Sequence, residues 1–250
     1  KPVLGYVLDE LQHAGIEEAL FIVSERKPQI RGFFGEEYRG ENSELPPVRC
    51  SYVTQTQQSG SGDAVLFAEE WVSGEPFVVA FGDSIIDAPQ EGSAPLKRVL
   101  STFDQQSAGA VIVVEQIARE KVFRYGVVAP LEPQAAYTQP FALRTIVEKP
   151  SVEEAPSNLV IAARFALHPA IFTAIRATAI DKRNELNLPD AICTLCGESL
   201  PLWAVPLIEN EARRDIGNFE TYFANFVRFA LRDPEHGATV RKVFESEADR

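Results

Sequence analysis

Residues 3–23 read VLGYVLDELQHAGIEEALFIV, and this stretch sets the pattern for the fold. Apolar residues in its first half recur at steps of three and four, which places them on one face of a helix. They are Val3, Leu4, Val7, Leu8 and Leu11. Gly15 follows as a signal for the end of the helix, and residues 19–23 form an apolar run too short for another helix. The stretch therefore predicts a helix followed by a buried strand.

The alternation of helix and strand continues through the first half of the chain. The sequence predicts further elements over 28–34 (helix), 50–55 (strand), 63–72 (helix) and 77–81 (strand). This order is typical of a doubly wound α/β fold, in which a mostly parallel mixed sheet is covered by helices on both faces. From about residue 120 the pattern becomes less regular and predicts a smaller lobe. Ligands of such sheets bind at the carboxyl ends of the strands.

Composition excludes several classes of protein. The chain has 250 residues and a net charge of −12, with no run of basic residues, which argues against a nucleic-acid-binding protein. No apolar run approaches the roughly 18 residues of a membrane span. Three cysteines do not make a disulfide framework in a chain of this size, so the cytoplasm is the expected location.

A polar loop with two glycines follows the strand over 50–55. Gly60 and Gly62 precede a predicted helix, so the backbone N–H groups there could approach a phosphate or a base closely. The spacing matches neither the dinucleotide fingerprint nor the P-loop. Taken alone, the pattern is more typical of an ordinary turn.

Two carboxylates also lie at predicted strand ends or turns. Asp83 directly follows the strand over 77–81, and Asp215 precedes the last long predicted helix. Two carboxylates from distant parts of a chain suit a Mg²⁺ ion, which keeps water and substrate oxygens as its other ligands. The alternative is that each residue only caps a helix or closes a turn.

Glu148 and Lys149 end a predicted strand and are followed by Pro150. As an isolated tripeptide, this is more typical of a solvated strand end. The alternative is a sugar-binding pair, with Lys149 on a phosphate and Glu148 on sugar hydroxyls.

Several segments, in this order, resemble the sugar-nucleotide pyrophosphorylases, and most closely the bacterial glucose-1-phosphate uridylyltransferases. The matching segments are 1–7, 60–65, 125–128, 147–150, 155–159, 185–192 and 215–218. Each is weak alone, but together they span nearly the whole chain. The resemblance implies that UTP and glucose 1-phosphate react to give UDP-glucose and pyrophosphate, with Mg²⁺ as the cofactor and no covalent enzyme intermediate.

The resemblance also implies roles for individual residues. Asp83 and Asp215 would hold Mg²⁺, and Lys149 would bind the sugar phosphate. The other substrate-binding positions that it implies are Gln55 and Gly60 at the uracil edge, Gly126 and Glu148 at the sugar, and Gly62, Asn158 and Glu185 within matching segments.

The resemblance predicts one nucleotidyltransferase domain over 1–250, with a nucleotide-binding half over about 1–120 and a sugar-binding half over about 121–250. The family's N-terminal strand and glycine-rich triphosphate loop would lie ahead of Lys1. The uridylyltransferase branch often carries a charged helical insertion where this chain has only residues 40–47.

Two alternatives remain open at this point. The chain could transfer another nucleotide, as in dTDP-glucose, ADP-glucose or GDP-mannose synthesis, or it could bind sugar nucleotides without catalysis. The partners would be small molecules, with no nucleic acid or membrane. Phe223, Phe226 and Phe229 on the last predicted helix could form a contact in a homo-oligomer or pack in the core.

Overall fold

The helices and strands are those of a computed structural model that describes residues 1–40, 44–88, 94–196 and 200–248. Residues 41–43, within the short 40–47 segment, lie outside this description. The strands are β1 (Glu18–Ser24), β2 (Glu37–Tyr38), β3 (Val48–Gln55), β4 (Phe77–Ala80), β5 (Ser84–Asp87), β6 (Ala110–Gln116), β7 (Gly126–Pro130), β8 (Phe141–Glu148), β9 (Leu159–Leu167), β10 (Leu202–Pro206) and β11 (Ala212–Asp215). The helices are α1 (Val3–His13), α2 (Gln29–Phe34), α3 (Ser61–Leu66), α4 (Glu69–Val72), α5 (Ala94–Gln106), α6 (Ile171–Ala177), α7 (Leu188–Cys196), α8 (Phe219–Arg232) and α9 (Gly237–Ala248), with a 3₁₀ helix over Arg119–Arg124.

The strands form three sheets within the described ranges. The largest has the order β4-β9-β6-β10-β8-β7, with a further pairing between β9 and β7. A second sheet has the order β1-β3-β2, and a third consists of β11 and β5. The sheet with β1 contains a parallel pair, β1 with β3, and the largest sheet contains another, β10 with β6.

The α/β class with a mixed sheet is confirmed, but the balance of strand directions differs from the expectation. The pairings of β9 with β4 and β6, and of β8 with β7 and β10, are antiparallel. Strand β9 is buried along its whole length. A continuous apolar run predicts burial on both faces but does not determine strand direction, so the sequence could not reveal this arrangement.

The two larger clusters of the hydrophobic core lie on opposite faces of the sheet, and a smaller third cluster contains Val122, Val127, Ala155 and Val160. Successive residues of β6 alternate between the two larger clusters, with Ile112 in the first cluster and Val113 in the second. Helices α3, α6 and α7 contribute to the first cluster, and α1 and α5 contribute to the second. Helices therefore cover both faces, as the sequence predicts.

Several elements differ from the sequence prediction. The helix expected over 63–72 is two short helices, α3 and α4, and the sequence pattern gave no indication of α5, β5 or β11. Strand β11 has the sequence ARRD, which carries no apolar alternation. Its pairing with β5 is a tertiary contact that local pattern does not encode. No described helix is long and apolar enough to cross a membrane.

Candidate active site

Strands β5 and β11 bring together two carboxylates that are far apart in the sequence. The strands pair antiparallel with Ser84 opposite Asp215, so Asp83 lies beside the end of β11. The N–H of Ile216 donates to the carbonyl oxygen of Asp83 over 2.9 Å. A Cβ atom built on Gly217 would lie 3.2 Å from Asp215 Oδ1 and 3.7 Å from Asp83 Oδ2. Both carboxylates therefore border the same small space.

Asp215 also has the turn role that its sequence context suggests. Its Oδ1 accepts a hydrogen bond from the N–H of Gly217 over 2.9 Å. Asn218 caps α8 by accepting from the N–H of Thr221 over 3.0 Å. The exposed carboxylate of Asp83, in contrast, accepts no hydrogen bond from the described residues. Asp215 can both close the turn and bind a metal ion, because the turn uses only one of its two carboxylate oxygens.

The donor set of this space fits Mg²⁺. Magnesium prefers oxygen ligands and commonly takes one or two carboxylates together with water and phosphate oxygens. Across the ranges that the structure describes, no group of three or more His, Cys, Asp or Glu side chains is arranged to hold a metal ion. Asp83 and Asp215 therefore offer an open, two-carboxylate site and not a closed protein cage.

Gly126, Glu148 and Lys149 lie together where β7 begins and β8 ends. Gly126 is directly opposite Glu148 in the β7–β8 pairing. A Cβ atom on Gly126 would lie 2.8 Å from Ile161 Cδ1 and 3.1 Å from Glu148 Oε2, so any larger residue would displace its neighbours. Lys149 Nζ forms an ion pair with Glu148 Oε1 at 3.3 Å. The structure thus places these three predicted residues in one group.

The backbone and the electrostatics of this group are unusual. Lys149 has a φ of 47°, a left-handed conformation that is uncommon for a lysine, and its N–H donates to the carbonyl oxygen of Tyr125 over 3.1 Å. Burial raises the pKa of Glu148, although Lys149 beside it acts in the opposite direction. Strained backbone and a half-buried carboxyl with a shifted pKa are features that cluster at functional sites.

Close packing against Leu186 explains why residues 60 and 62 are glycines. Gly60 has a φ of 110°, and a Cβ atom there would lie 2.5 Å from the carbonyl oxygen of Leu186. The N–H of Gly62 donates to the same carbonyl over 2.7 Å. The Gly62 N–H is therefore occupied by the protein, which differs from the expectation that it would be open to a phosphate or base. The sequence pattern could not show that residue 186 packs against this loop.

Gln55, at the end of β3, is oriented by the residue that follows the glycine loop. Its Nε2 donates to Asp63 Oδ2 over 2.6 Å. Because this contact fixes the carboxamide, the two polar groups would present a defined edge to a ligand.

Asn158 forms its hydrogen bonds with a different part of the chain. Its Nδ2 donates to the carbonyl oxygen of Ile117 over 3.2 Å, and its backbone carbonyl accepts from the Ile117 N–H over 3.0 Å. The side chain thus joins the segment before β9 to the segment after β6.

Glu185 belongs to a polar loop ahead of α7. The Asp181 carboxylate accepts from the N–H groups of Glu185 and Arg183 and from Asn187 Nδ2. These bonds, led by the one from the Glu185 N–H, lower the pKa of Asp181 to about 2. Arg183 pairs with Glu185 at 3.3 Å and lies close enough to Glu148 for their charges to interact. Arg183 is a cation near the predicted sugar site that the sequence analysis did not single out.

A cavity of about 290 Å³ opens beside Asp215. Tyr125, which precedes Gly126 at the start of β7, also lines it. Arg213 is positioned there by Glu115 Oε1, 2.6 Å from its Nε, and by the Tyr125 ring, 4.3 Å from the guanidinium carbon. Arg213 was also missed by the sequence analysis, because its position depends on the unpredicted strand β11.

An α/β fold with two converging carboxylates, and with a Glu–Lys ion pair where β8 ends, has the parts of a nucleotidyltransferase. The nucleotidyl transferase family matches residues 1–230. The chain is 31% identical to the UTP–glucose-1-phosphate uridylyltransferase of Streptococcus pneumoniae serotype 4, over 94% of this chain and 82% of that protein. It is also 31% identical to a protein of the same name from Staphylococcus saprophyticus, over 93% of this chain and 83% of that protein.

Solved structures give the same result. A UTP-bound UGPase from Acinetobacter baumannii superposes with a TM-score of 0.84 at 25% identity, covering 98% of this chain and 87% of that one. A UDP-glucose pyrophosphorylase complexed with UDP-glucose superposes with a TM-score of 0.81 at 29% identity, covering 93% and 88%. The chain belongs to the nucleotidyl transferase family and, within it, to the UTP–glucose-1-phosphate uridylyltransferases.

Proposed function

We propose that this protein makes UDP-glucose and pyrophosphate from UTP and glucose 1-phosphate. The observation that carries the proposal is the convergence of Asp83 and Asp215 across the β5–β11 pair. The relatives named above act on these substrates, and one solved neighbour is bound to UTP while another is bound to UDP-glucose.

The reaction requires the enzyme to position the substrates and neutralise their charge, and it needs no covalent bond between enzyme and substrate. A phosphate oxygen of glucose 1-phosphate forms a bond to the α-phosphorus of UTP, and the bond from that phosphorus to the β-phosphate bridging oxygen breaks. The electron pair leaves with pyrophosphate. Asp83 and Asp215 would hold Mg²⁺, which supplies neutralisation of the phosphate charge when bound.

Residues of the β7–β8 group would bind the sugar phosphate. Lys149 would donate to its phosphate oxygens, and Glu148 would accept hydrogen bonds from sugar hydroxyls. Gly126 would let the sugar approach the backbone. A side chain there would also displace Glu148, which would accept the sugar hydroxyls. Arg183 would add positive charge on the same side.

The β3 end and the glycine loop would bind the nucleotide. Gln55, oriented by Asp63, and the backbone at Gly60 would contact the uracil edge. Gly62 would support this loop through its bond to Leu186. Asn158 and Glu185 would act less directly. Asn158 ties two segments together, and Glu185 belongs to the polar loop that contains Arg183.

The location and assembly are part of the same proposal. We place the protein in the cytoplasm, since its three cysteines do not suit a disulfide framework and Cys50 is a free, buried thiol. We also propose that α8 forms a contact between copies of the chain.

A panel of nucleotides and sugar phosphates tests the proposed reaction. The full-length protein would be incubated with each of UTP, dTTP, ATP and GTP, and with glucose 1-phosphate or mannose 1-phosphate, in the presence of Mg²⁺. Release of pyrophosphate should be fastest with UTP and glucose 1-phosphate. A preference for another pair would reassign the substrate, and binding of UDP-glucose without turnover would indicate a non-catalytic homologue.

A further inference from the structure

An arginine lies in the interior of the protein. The side chain of Arg164 on β9 is 0% exposed, and its neighbours on the same face of the strand, Ala162 and Ala166, belong to the second core cluster. Burying a guanidinium is costly unless it is paired and fully hydrogen-bonded. Its position therefore calls for a specific partner set.

The partners of Arg164 lie on both sides of the turn that contains Asp83. Nη2 donates to the carbonyl oxygen of Ser84 over 3.0 Å, and Nη1 donates to that of Phe81 over 3.4 Å. These two residues flank Gly82 and Asp83. A single guanidinium thus contacts the backbone at both ends of the Gly82–Asp83 turn. Among the described residues, no other side chain donates to both of these carbonyl oxygens.

Strand β9 is distorted where it provides Arg164. Ile112 pairs with Phe165 and Val114 pairs with Ile161, so residues 162–164 bulge opposite Val113. Ala163 has a φ of 63°, and its carbonyl accepts from the N–H of Phe81 over 3.1 Å. A bulge with a left-handed alanine is retained where surrounding structure requires it, and here it faces the same turn.

The opposite side of the guanidinium is closed by Glu10 on α1. Its Oε2 accepts from Arg164 Nη2 over 2.7 Å and from Nε over 3.0 Å. Its Oε1 is buried and accepts no hydrogen bond from any described residue. A buried ion pair with one unsatisfied oxygen is not explained by stability alone, because apolar residues of similar volume commonly stabilise a core as well as such a pair or better.

We propose that Arg164, supported by Glu10, is a positioning residue that fixes the Gly82–Asp83 backbone so that the Asp83 carboxylate stays beside Asp215. The exposed Asp83 side chain accepts no hydrogen bond within the described ranges, so its place depends on its backbone. A two-carboxylate cation site needs both groups to stay within about 0.5 Å of the productive geometry. This inference rests on the proposed role of Asp83 as a metal ligand.

The first test needs neither metal nor substrate. The variant E10L/R164M replaces both charges, because removing one alone would leave the other buried and unpaired. Hydrogen–deuterium exchange of residues 81–86 should become at least about tenfold faster while the melting temperature stays close to that of the wild type. The control E69Q/R176Q removes an exposed ion pair between α4 and α6 and should leave that exchange unchanged. Unchanged exchange in E10L/R164M would overturn the inference.

The second test measures Mn²⁺ binding by calorimetry in the presence of UTP. E10L/R164M should bind Mn²⁺ about 10- to 100-fold more weakly, as expected when a supporting contact of a metal ligand is lost. D83N serves as the reference. If D83N weakens Mn²⁺ binding and E10L/R164M does not, the positioning role is wrong. If D83N has no effect, the metal assignment of the proposed function fails, and the exchange measurement still decides whether Arg164 fixes the turn.

The variant R164K covers the case in which E10L/R164M does not fold. A lysine ammonium keeps the charge but cannot contact Glu10 and both carbonyls in the fork geometry of a guanidinium. Faster exchange at 81–86 and weaker Mn²⁺ binding in R164K would support the role. Wild-type values for both would overturn it.

Discussion

Lys149 and Glu148 show how one strand end can produce a binding group. Strand β8 places Glu148 opposite Gly126. The backbone of Lys149 is left-handed, and the Lys149 side chain pairs with Glu148. The sequence alone suggested a solvated strand end as the more typical reading. Burial and the pairing with β7 are what distinguish the two readings, and neither is visible in the tripeptide itself.

Replacing Lys149 should affect one substrate more than the other. K149A should raise the KM for glucose 1-phosphate about tenfold or more, because a hydrogen bond between charged groups contributes about 1.5–3 kcal/mol. The KM for UTP should change much less. Steady-state kinetics with each substrate varied in turn measures both. K182A, at an exposed lysine in the loop ahead of α7, is the control. Equal effects on the two substrates would count against the assigned role.

Glu148 should make stability depend on pH in a defined direction. Its pKa is raised in the folded protein, mainly by burial, so the folded state binds its proton more tightly than the unfolded state does. The contribution of this group therefore falls as pH rises from the ordinary glutamate value of 4.5 through the raised value. E148Q does not titrate, so its melting temperature relative to the wild type should increase with pH across that window.

Melting curves over a range of pH test this expectation. The control E153Q removes an exposed glutamate in the following loop and shows how much of any trend comes from the loss of a charge alone. A difference for E148Q that stays constant or shrinks as pH rises would contradict the buried, proton-binding state of Glu148.

Among the secondary-structure elements, those with strong local pattern were predictable and those defined by tertiary pairing were not. The helix α1 and the strands β1, β3 and β4 follow from apolar spacing and apolar runs. Strands β5 and β11 have four residues each and acquire their structure from each other. Because this pair brings Asp83 to Asp215, the sequence identified both carboxylates but could not show that they meet. Arg164 was missed for a similar reason, since its role depends on a bulge.

Helix α8 presents an exposed aromatic face. Phe219, Phe223 and Phe226 are 82%, 59% and 61% exposed, and Tyr222 stacks among them. Phe229 is different, because it is partly buried and packs on Tyr6 with ring centroids 4.9 Å apart. The three phenylalanines that the sequence grouped together thus divide between the surface and the interior. A contiguous apolar surface of this kind is typical of an interface.

The interface prediction is tested by measuring mass in solution. By light scattering after gel filtration, the wild type should have the mass of an oligomer, and F223S/F226S should have a smaller mass with an unchanged fold by circular dichroism. The control E220Q alters a polar residue on the same helix. A monomeric wild type, or an unchanged mass for F223S/F226S, would contradict a role for this face in assembly.

At the scale of the whole molecule, β1 and β4 lie in the same layer but do not pair with each other within the described ranges. Within the described ranges, β1 pairs with β3 alone and β4 pairs with β9 alone. Leu20 of β1 and Val79 of β4 pack on the first cluster, whereas Phe21 and Val78 pack on the second. Each strand therefore has one edge of apolar sequence with unpaired backbone groups, which is costly in a sheet interior.

The central claim is that Asp83 and Asp215 act as one site in uridylyl transfer. The most direct measurement is a double-mutant cycle on the rate of UDP-glucose formation by the full-length protein, with D83N, D215N and D83N/D215N. Each single change should lower kcat by about 100-fold or more, and the double variant should be no slower than the worse single variant, because residues acting as a unit are not additive. A single variant with the wild-type rate, or losses that multiply in the double variant, would contradict a shared site.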